Sequence, residues 1–236
     1  MKAVGIIGYK DSGKTTLICA LARELTGRGY EVALIKHSSH HLDLPGKDTT
    51  ALGEAVGQVG FISPQESAVF WKKSLSLENI IPYLEADIVL VEGFKAERTF
   101  PKIVCLRGEP DDRDLFDGLV ICAVGPASRM AEITAPHLDR DEVDRIADLV
   151  EQRAFKLPNL DCGGCGHERC YDLAREIVAG SGSVEDCISL QPTTEVKVDG
   201  RLLPMKPFIS GIVGSTILGL LSSLKGFKKG KMEISI

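Results

Sequence analysis

GYKDSGKT, Gly8 to Thr15, fills every fixed position of the phosphate-loop pattern GxxxxGK(S/T). It follows the short apolar run KAVGIIG and opens a segment with Leu17, Ile18, Leu21, Ala22 and Leu25 at helical spacing, closed by Gly27 and Gly29. Strand, glycine loop, helix is the context that this pattern requires. The glycines allow a tight turn whose backbone N–H groups face a polyphosphate, and the helix N-terminus adds a field favourable to anions. Gly8, Asp11, Ser12, Gly13, Lys14, Thr15 and Thr16 are therefore the nucleotide-binding candidates, with Lys14 reaching the terminal phosphates and Thr15 offering its hydroxyl to Mg2+.

Further along, the runs at 31–35, 58–62, 67–71, 87–91, 102–106 and 119–124 are strand-length and rich in β-branched residues. Helical stretches lie between some of them, at 77–84 after a cap at Ser76 and at 142–153 after Asp139. This alternation predicts an α/β domain, a P-loop NTPase fold around a largely parallel sheet. DIVLVEG places Glu92 at the end of a buried strand, where an acidic residue can serve the Mg2+ side of the site. Lys10 lies inside the loop but not at the second motif position used by signature-lysine ATPases. The segment 36–49 gathers His37, His40, His41, Asp43, Lys47 and Asp48; it reads as a metal ligand set, a substrate or nucleotide contact, or an ordinary loop.

A net charge of −5 argues against the broad basic footprint that nucleic acids need, and 6% aromatic residues provide no stacking surface for single strands. The N-terminus has too short an apolar run for a signal peptide or anchor, which predicts a cytoplasmic protein. Phe208 to Leu224 is uncharged, yet its 17 residues span only about 26 Å as a helix against a hydrocarbon core of ~30 Å. It reads as an amphipathic helix with a small-residue face suited to close packing, and no membrane contact is expected. Before it, Asp199 and Gly200 mark a hairpin turn.

Seven cysteines in a reducing compartment do not make a disulfide framework. Cys19, Cys105 and Cys122 stand singly among apolar neighbours and read as small core residues. Cys162, Cys165, Cys170 and Cys187 are different, because they fall within 26 residues, CGGCGHERCYDLAREIVAGSGSVEDC. Structural zinc sites usually pair two CxxC knuckles, whereas here three thiols crowd nine residues and the fourth is remote. That three-plus-one pattern suits a 4Fe-4S cluster better than zinc, with a chance grouping of structural thiols as the remaining reading. His167, between two of the cysteines, is expected to lie outside the ligand set.

Taken in order, GYKDSGKTTL, IKHSSHHLDLPGKDT and VEGFKAERTFPKIVCLR resemble the molybdopterin-guanine dinucleotide biosynthesis protein B (MobB) family over about 150 residues. The CGxCGxxxC motif with its following helix and distant cysteine also resembles the small 4Fe-4S domain of electron-transfer complex subunits and corrinoid iron-sulfur proteins. The first resemblance implies a GTP-binding, homodimeric accessory protein that works with the MobA-like guanylyltransferase attaching GMP to the molybdenum cofactor, or with a cofactor-containing enzyme. Guanine specificity comes from the resemblance alone, since the chain has no NKxD segment.

The expected organisation is a MobB-like GTP-binding domain over 1–155, a 4Fe-4S segment over 156–191 and a hairpin-helix-strand tail of α+β character over 192–236. The expected function is accessory GTP binding, with at most weak hydrolysis, in guanine dinucleotide cofactor biosynthesis for molybdenum or tungsten. The alternatives are a nucleotide-gated iron-sulfur carrier or scaffold and a redox adaptor to an enzyme partner.

Overall fold

The computed structural model describes residues 1–38, 56–126, 135–192 and 194–227. His40, His41, Asp43, Lys47 and Asp48 of the histidine-rich loop, and the closing run 231–236, lie outside the described residues. Six parallel strands form the main sheet: β1 (Lys2–Gly8), β2 (Val32–Lys36), β5 (Ile88–Glu92), β6 (Lys102–Cys105), β7 (Val120–Val124) and β8 (His137–Leu138), ordered β2-β5-β1-β6-β7-β8. β1 and β5 are near-continuous apolar runs buried along almost their whole length because layers cover both faces. Helix α1 (Lys14–Gly27) lays Leu17, Ile18, Leu21 and Leu25 on one face, where they meet Val4, Ile6 and Ile103. Helix α3 (Val143–Arg153) joins the same core through Ile146, Ala147 and Val150. Each such large side chain contributes roughly 1.5–3 kcal/mol on burial. Phe100, Ala3, Val89 and Leu77 build a second cluster with Val91 and Ile35.

Two predicted strands stand apart. β3 (Gln58–Ile62) and β4 (Ser67–Trp71) pair only with each other, antiparallel, as a separate hairpin. Their exposed Phe61, Ile62 and Val69 explain why the apolar pattern did not bring them into the main sheet: most of their residues are not covered. Ser76 caps α2 (Leu77–Ile80) as predicted, its side chain accepting from Asn79 N–H, and a 3₁₀ turn, Ile81–Tyr83, completes that segment.

Beyond α3 the chain does not leave the α/β core. Leu157 N–H donates to the Thr99 carbonyl at 2.8 Å, and Phe155 and Leu157 pack with Leu119, Leu173 and Ala174. Helix α4 (Cys170–Ala179) is clamped to α3 by Arg153, whose guanidinium donates to the Val178 carbonyl. The tail follows with the hairpin β9 (Lys197–Val198) and β10 (Arg201–Leu202), turning at Asp199 and Gly200, both at positive φ. Then comes α5 (Pro207–Ser222).

That helix packs through Ser210, Gly214 and the half-buried Val213, Ile217, Leu218 and Leu221, whereas Gly211, Ser215, Gly219, Ser222 and Ser223 of the small-residue face expected from the sequence are exposed. Ser210 is buried and donates to the Thr194 carbonyl at 3.2 Å, and a Cβ at Gly214 would fall 2.3 Å from Thr194 Oγ1. Ile209, Ile212, Leu220 and Leu224, read as one apolar face, are exposed instead. No described helix is long and apolar enough to cross a membrane.

Candidate functional site

Order reversal in the sheet puts β1 between β5 and β6, and the loop leaving the carboxyl end of β1 opens at this switch point. Gly8 closes the strand where no side chain fits, since a Cβ would meet Ser12 Oγ at 2.4 Å and the Cys105 carbonyl at 2.7 Å. Asp11 and Gly13 take positive φ (63° and 81°), the left-handed turn that swings the chain into α1. Gly13 is the N-cap and has no side chain to cap with, so the N–H groups of the first turn are left to the loop. Lys14 Nζ folds back to the Tyr9 carbonyl at 2.5 Å and to Ser12 Oγ at 3.4 Å.

Asp11, Ser12, Gly13, Lys14, Thr15 and Thr16 line one cleft of about 450 Å³ together with Lys10 and Glu92. Gly8 lies beneath this cleft, where it shapes the loop. Thr15 and Glu92, far apart in sequence, thus share a wall. Glu92 ends β5, nearly buried, and pairs with Lys36 Nζ at 3.3 Å from the neighbouring β2. His37, the described member of the histidine loop, donates its backbone N–H to the Glu92 carbonyl at 2.9 Å, and its ring meets Phe94 at 4.7 Å.

Two features of this region carry no signal in the sequence. Arg140 reaches from beyond β8 to donate Nη2 to the carbonyls of Ser12 (3.1 Å) and Leu106 (3.3 Å), bracing the loop from behind. Tyr9 is covered by two cations, Lys95 Nζ at 3.8 Å and Arg107 at 4.6 Å from the ring centre. Burial first, and then the charges of Lys14 and Arg107, hold the Lys95 ammonium below its usual pKa. Lys10 and Lys14 line the cleft, and Lys95 lies near enough to feel the Lys14 charge, so cations gather at the loop in a chain of negative net charge.

Three of the four clustered cysteines, Cys165, Cys170 and Cys187, gather at the core formed by Leu119, Phe155, Leu157, Leu173 and Ala174. Cys162 and Cys165 sit on a turn made by Gly163 and Gly166, both at positive φ. Cys170 begins α4, with its N–H held by Asp161 Oδ1 at 2.6 Å, and Cys187 lies between two 3₁₀ turns. Cys170 and Cys187 are buried, with Cys165 packed against the same cluster, and all four thiols are free. Burial pushes the Cys187 thiol up, the N–H groups of Leu190 and Ser189 pull it down, and Cys170 and Cys165 push it up again. Burial likewise raises Cys170 against the N–H groups of Asp161 and Leu160. Cys162 Sγ meets Ser189 Oγ at 3.3 Å.

Backbone N–H groups aimed at buried sulfurs fit thiolates that share negative charge with a cluster. Among the described residues, no three His, Cys, Asp or Glu side chains converge on a point where one metal ion could sit. His167 pairs with Glu176 at 3.4 Å, so its partner is a carboxylate. Cys105 and Cys122 are core residues as expected, whereas Cys19 is exposed on α1 because its position faces away from the Leu17–Leu21–Leu25 stripe.

Comparison with known proteins bears on both regions. The family model described as "Molybdopterin guanine dinucleotide synthesis protein B" matches residues 3–124, and that described as "Putative Fe-S cluster" matches residues 157–189. A "Putative molybdopterin-guanine dinucleotide biosynthesis adapter protein" of Methanocaldococcus jannaschii is 33% identical over 247 residues, covering 100% of this chain and 98% of that protein. The molybdopterin-guanine dinucleotide biosynthesis adapter protein of Haemophilus influenzae is 36% identical over 157 residues, covering 63% of this chain and 86% of its own. The crystal structure of Bacillus subtilis MobB superposes with a TM-score of 0.54 at 21% identity, covering 63% of this chain and 98% of the other, a likeness of fold.

Proposed function

We infer that this chain, which belongs to the molybdopterin-guanine dinucleotide synthesis protein B family, is a GTP-binding adapter in guanine dinucleotide cofactor biosynthesis that also carries a 4Fe-4S cluster. The observation that carries the reading is the cleft that joins the whole glycine loop to Glu92. In it Lys14 exchanges the Tyr9 carbonyl for the terminal phosphates, the N–H groups of the α1 first turn and loop face the phosphate oxygens, and Thr15 and Glu92 serve the Mg2+ side. Arg140 keeps the loop backbone in place while this happens. The molybdenum pathway is carried over from the relatives' adapter descriptions, and guanine preference from the family resemblance alone.

The organisation proposed is a nucleotide domain over 1–155, a cluster segment over 156–191 with Cys162, Cys165, Cys170 and Cys187 as ligands, and a tail over 192–236. When bound, the cluster supplies one-electron redox chemistry. The N–H groups of Leu160, Asp161, Ser189 and Leu190 offset the charge of two of its thiolates. The partner proposed is the guanylyltransferase that attaches GMP to the cofactor, met by a cytoplasmic homodimer of this chain.

Competition of GTP against ATP with Mg2+ on the purified protein tests the nucleotide; ATP binding as tight as or tighter than GTP would overturn it. Anaerobic purification with iron and sulfide analysis tests the centre. A colourless protein holding one zinc would sink the cluster.

A further inference from the structure

One side of α5 is uncovered, and on it large apolar side chains alternate with Gly211, Ser215, Thr216 and Gly219. α5 turns Ser210 and Gly214 inward to Thr194 and leaves Phe208 (74% exposed), Ile209, Ile212 and Leu220 (68% exposed) on the outside, with Leu224 just beyond its end. Between Pro207 and Leu224 there is no charged residue. On both sides the charges are of one sign: from Gly200 to Met232 the sequence has six basic residues, Arg201, Lys206, Lys225, Lys228, Lys229 and Lys231, and no acid. With −5 for the whole chain, this segment carries +6 and everything else −11. Exposed apolar side chains bordered by basic residues supply the two contacts that hold a helix on an anionic bilayer, apolar burial and attraction of the cations to the lipid phosphates.

We propose that α5 is a membrane-surface docking helix that seats this protein on an anionic lipid bilayer. Phe208, Ile209, Ile212 and Leu220 enter the acyl boundary, while the exposed Lys206 and Lys225 meet the lipid phosphates. The contact is peripheral, since no described helix is long and apolar enough to cross a membrane. A second copy, whose remaining residues carry the −11, is the competing occupant, and the lipid-free oligomeric state separates it from a bilayer.

Docking has a consequence for the cysteine nest. Pro207, at the start of α5, sits so close to the CGGC turn that a Cβ on Gly164 would lie 2.8 Å from its Cγ. Exposed Ile188 follows Cys187 directly. A bilayer bound to α5 therefore lies beside the thiols, at the opposite end of the chain from the glycine loop.

The test is flotation of the full-length protein with vesicles of phosphatidylcholine alone or mixed with phosphatidylglycerol. The protein should float with the mixed vesicles, remain at the bottom with neutral ones, and be released as salt screens the lysines. Phe208→Asp with Leu220→Asp, both at exposed positions, should abolish flotation while leaving thermal unfolding unchanged. Lys206→Glu with Lys225→Glu should lower the bound fraction at least about tenfold without touching the apolar face. The proposal fails if the wild type does not float with anionic vesicles, or if either double variant floats as the wild type does. It also fails if the aspartate variant merely converts a wild-type oligomer to a monomer in the absence of lipid while the wild type stays unbound to vesicles.

Discussion

The Tyr171 hydroxyl donates to the Asp117 carbonyl at 2.6 Å, while the carboxylate of the same Asp117 takes Lys102 Nζ and Arg98 Nη1, each at 2.5 Å. Lys102 is fully buried and also donates to the Lys95 carbonyl at 2.8 Å, and the Lys95 ammonium covers Tyr9 in the glycine loop. Tyr171 in turn follows Cys170. A continuous series of polar contacts thus runs from the nucleotide loop to a cluster cysteine, through residues that no motif singles out.

The members of this series should differ in weight. Lys102→Met leaves the Asp117 carboxylate with Arg98 and the Leu119 N–H and should destabilise the protein by about 3 kcal/mol, the lower end for breaking a buried pair. Tyr171→Phe removes one neutral hydrogen bond and should cost about 1 kcal/mol. Urea unfolding of the two variants should give that order.

Arg140 braces two carbonyls behind the loop and touches neither Lys14 nor Thr15 by hydrogen bond. Arg140→Ala should weaken GTP binding by about 1.5–3 kcal/mol, roughly 10- to 100-fold in Kd, because the Ser12 carbonyl then loses a charge-assisted donor and the loop its fixed shape. Nucleotide titration of the variant measures this directly.

Glycine positions separate by space. Gly8→Ala drives a Cβ into Ser12 Oγ and the Cys105 carbonyl and should cost about 1–3 kcal/mol along with nucleotide affinity. Gly27→Ala, at the end of α1 with nothing within 4 Å, should be neutral or stabilise by about 0.5–1 kcal/mol. Thermal unfolding of the pair is the measurement.

Acid should loosen the segment that joins the two cores. Burial raises the Glu78 carboxyl, but its backbone N–H, Asn159 (3.0 Å) and Lys156 (3.4 Å) together hold it below 4.5. A depressed carboxyl stabilises the folded state above pH 4.5, and that contribution is lost as pH falls through its lower folded value. Hydrogen exchange at residues 156–161 should therefore rise on acidification, and Glu78→Gln should reduce that pH dependence.

The glycine loop, Glu92 and the four thiols were legible in the sequence because each rests on a local rule: a turn that admits only glycine, a strand that ends in an acid, a spacing that gathers ligands. The same locality misled where burial was at issue. β3 and β4 have the apolar pattern of core strands, yet they pair only with each other, and Cys19 has apolar neighbours in sequence but faces solvent. Arg140, Lys95 and Tyr171 were invisible for the complementary reason: Arg140 lies 128 residues from Ser12, and Tyr171 54 from Asp117, so only chain packing brings them together.

By itself, then, the sequence determined the fold class, the family resemblance and the identity of the candidate ligands, since these depend on covalent geometry, residue chemistry and short-range periodicity. The tertiary structure alone decided that Thr15 and Glu92 share one cleft and that a buried lysine links this cleft to the cysteine nest. It also decided that α5 turns Ser210 and Gly214 inward and leaves Phe208, Ile209, Ile212 and Leu220 outside. Which face of a helix is covered depends on what lies opposite it, and a periodic pattern carries no information about the other surface.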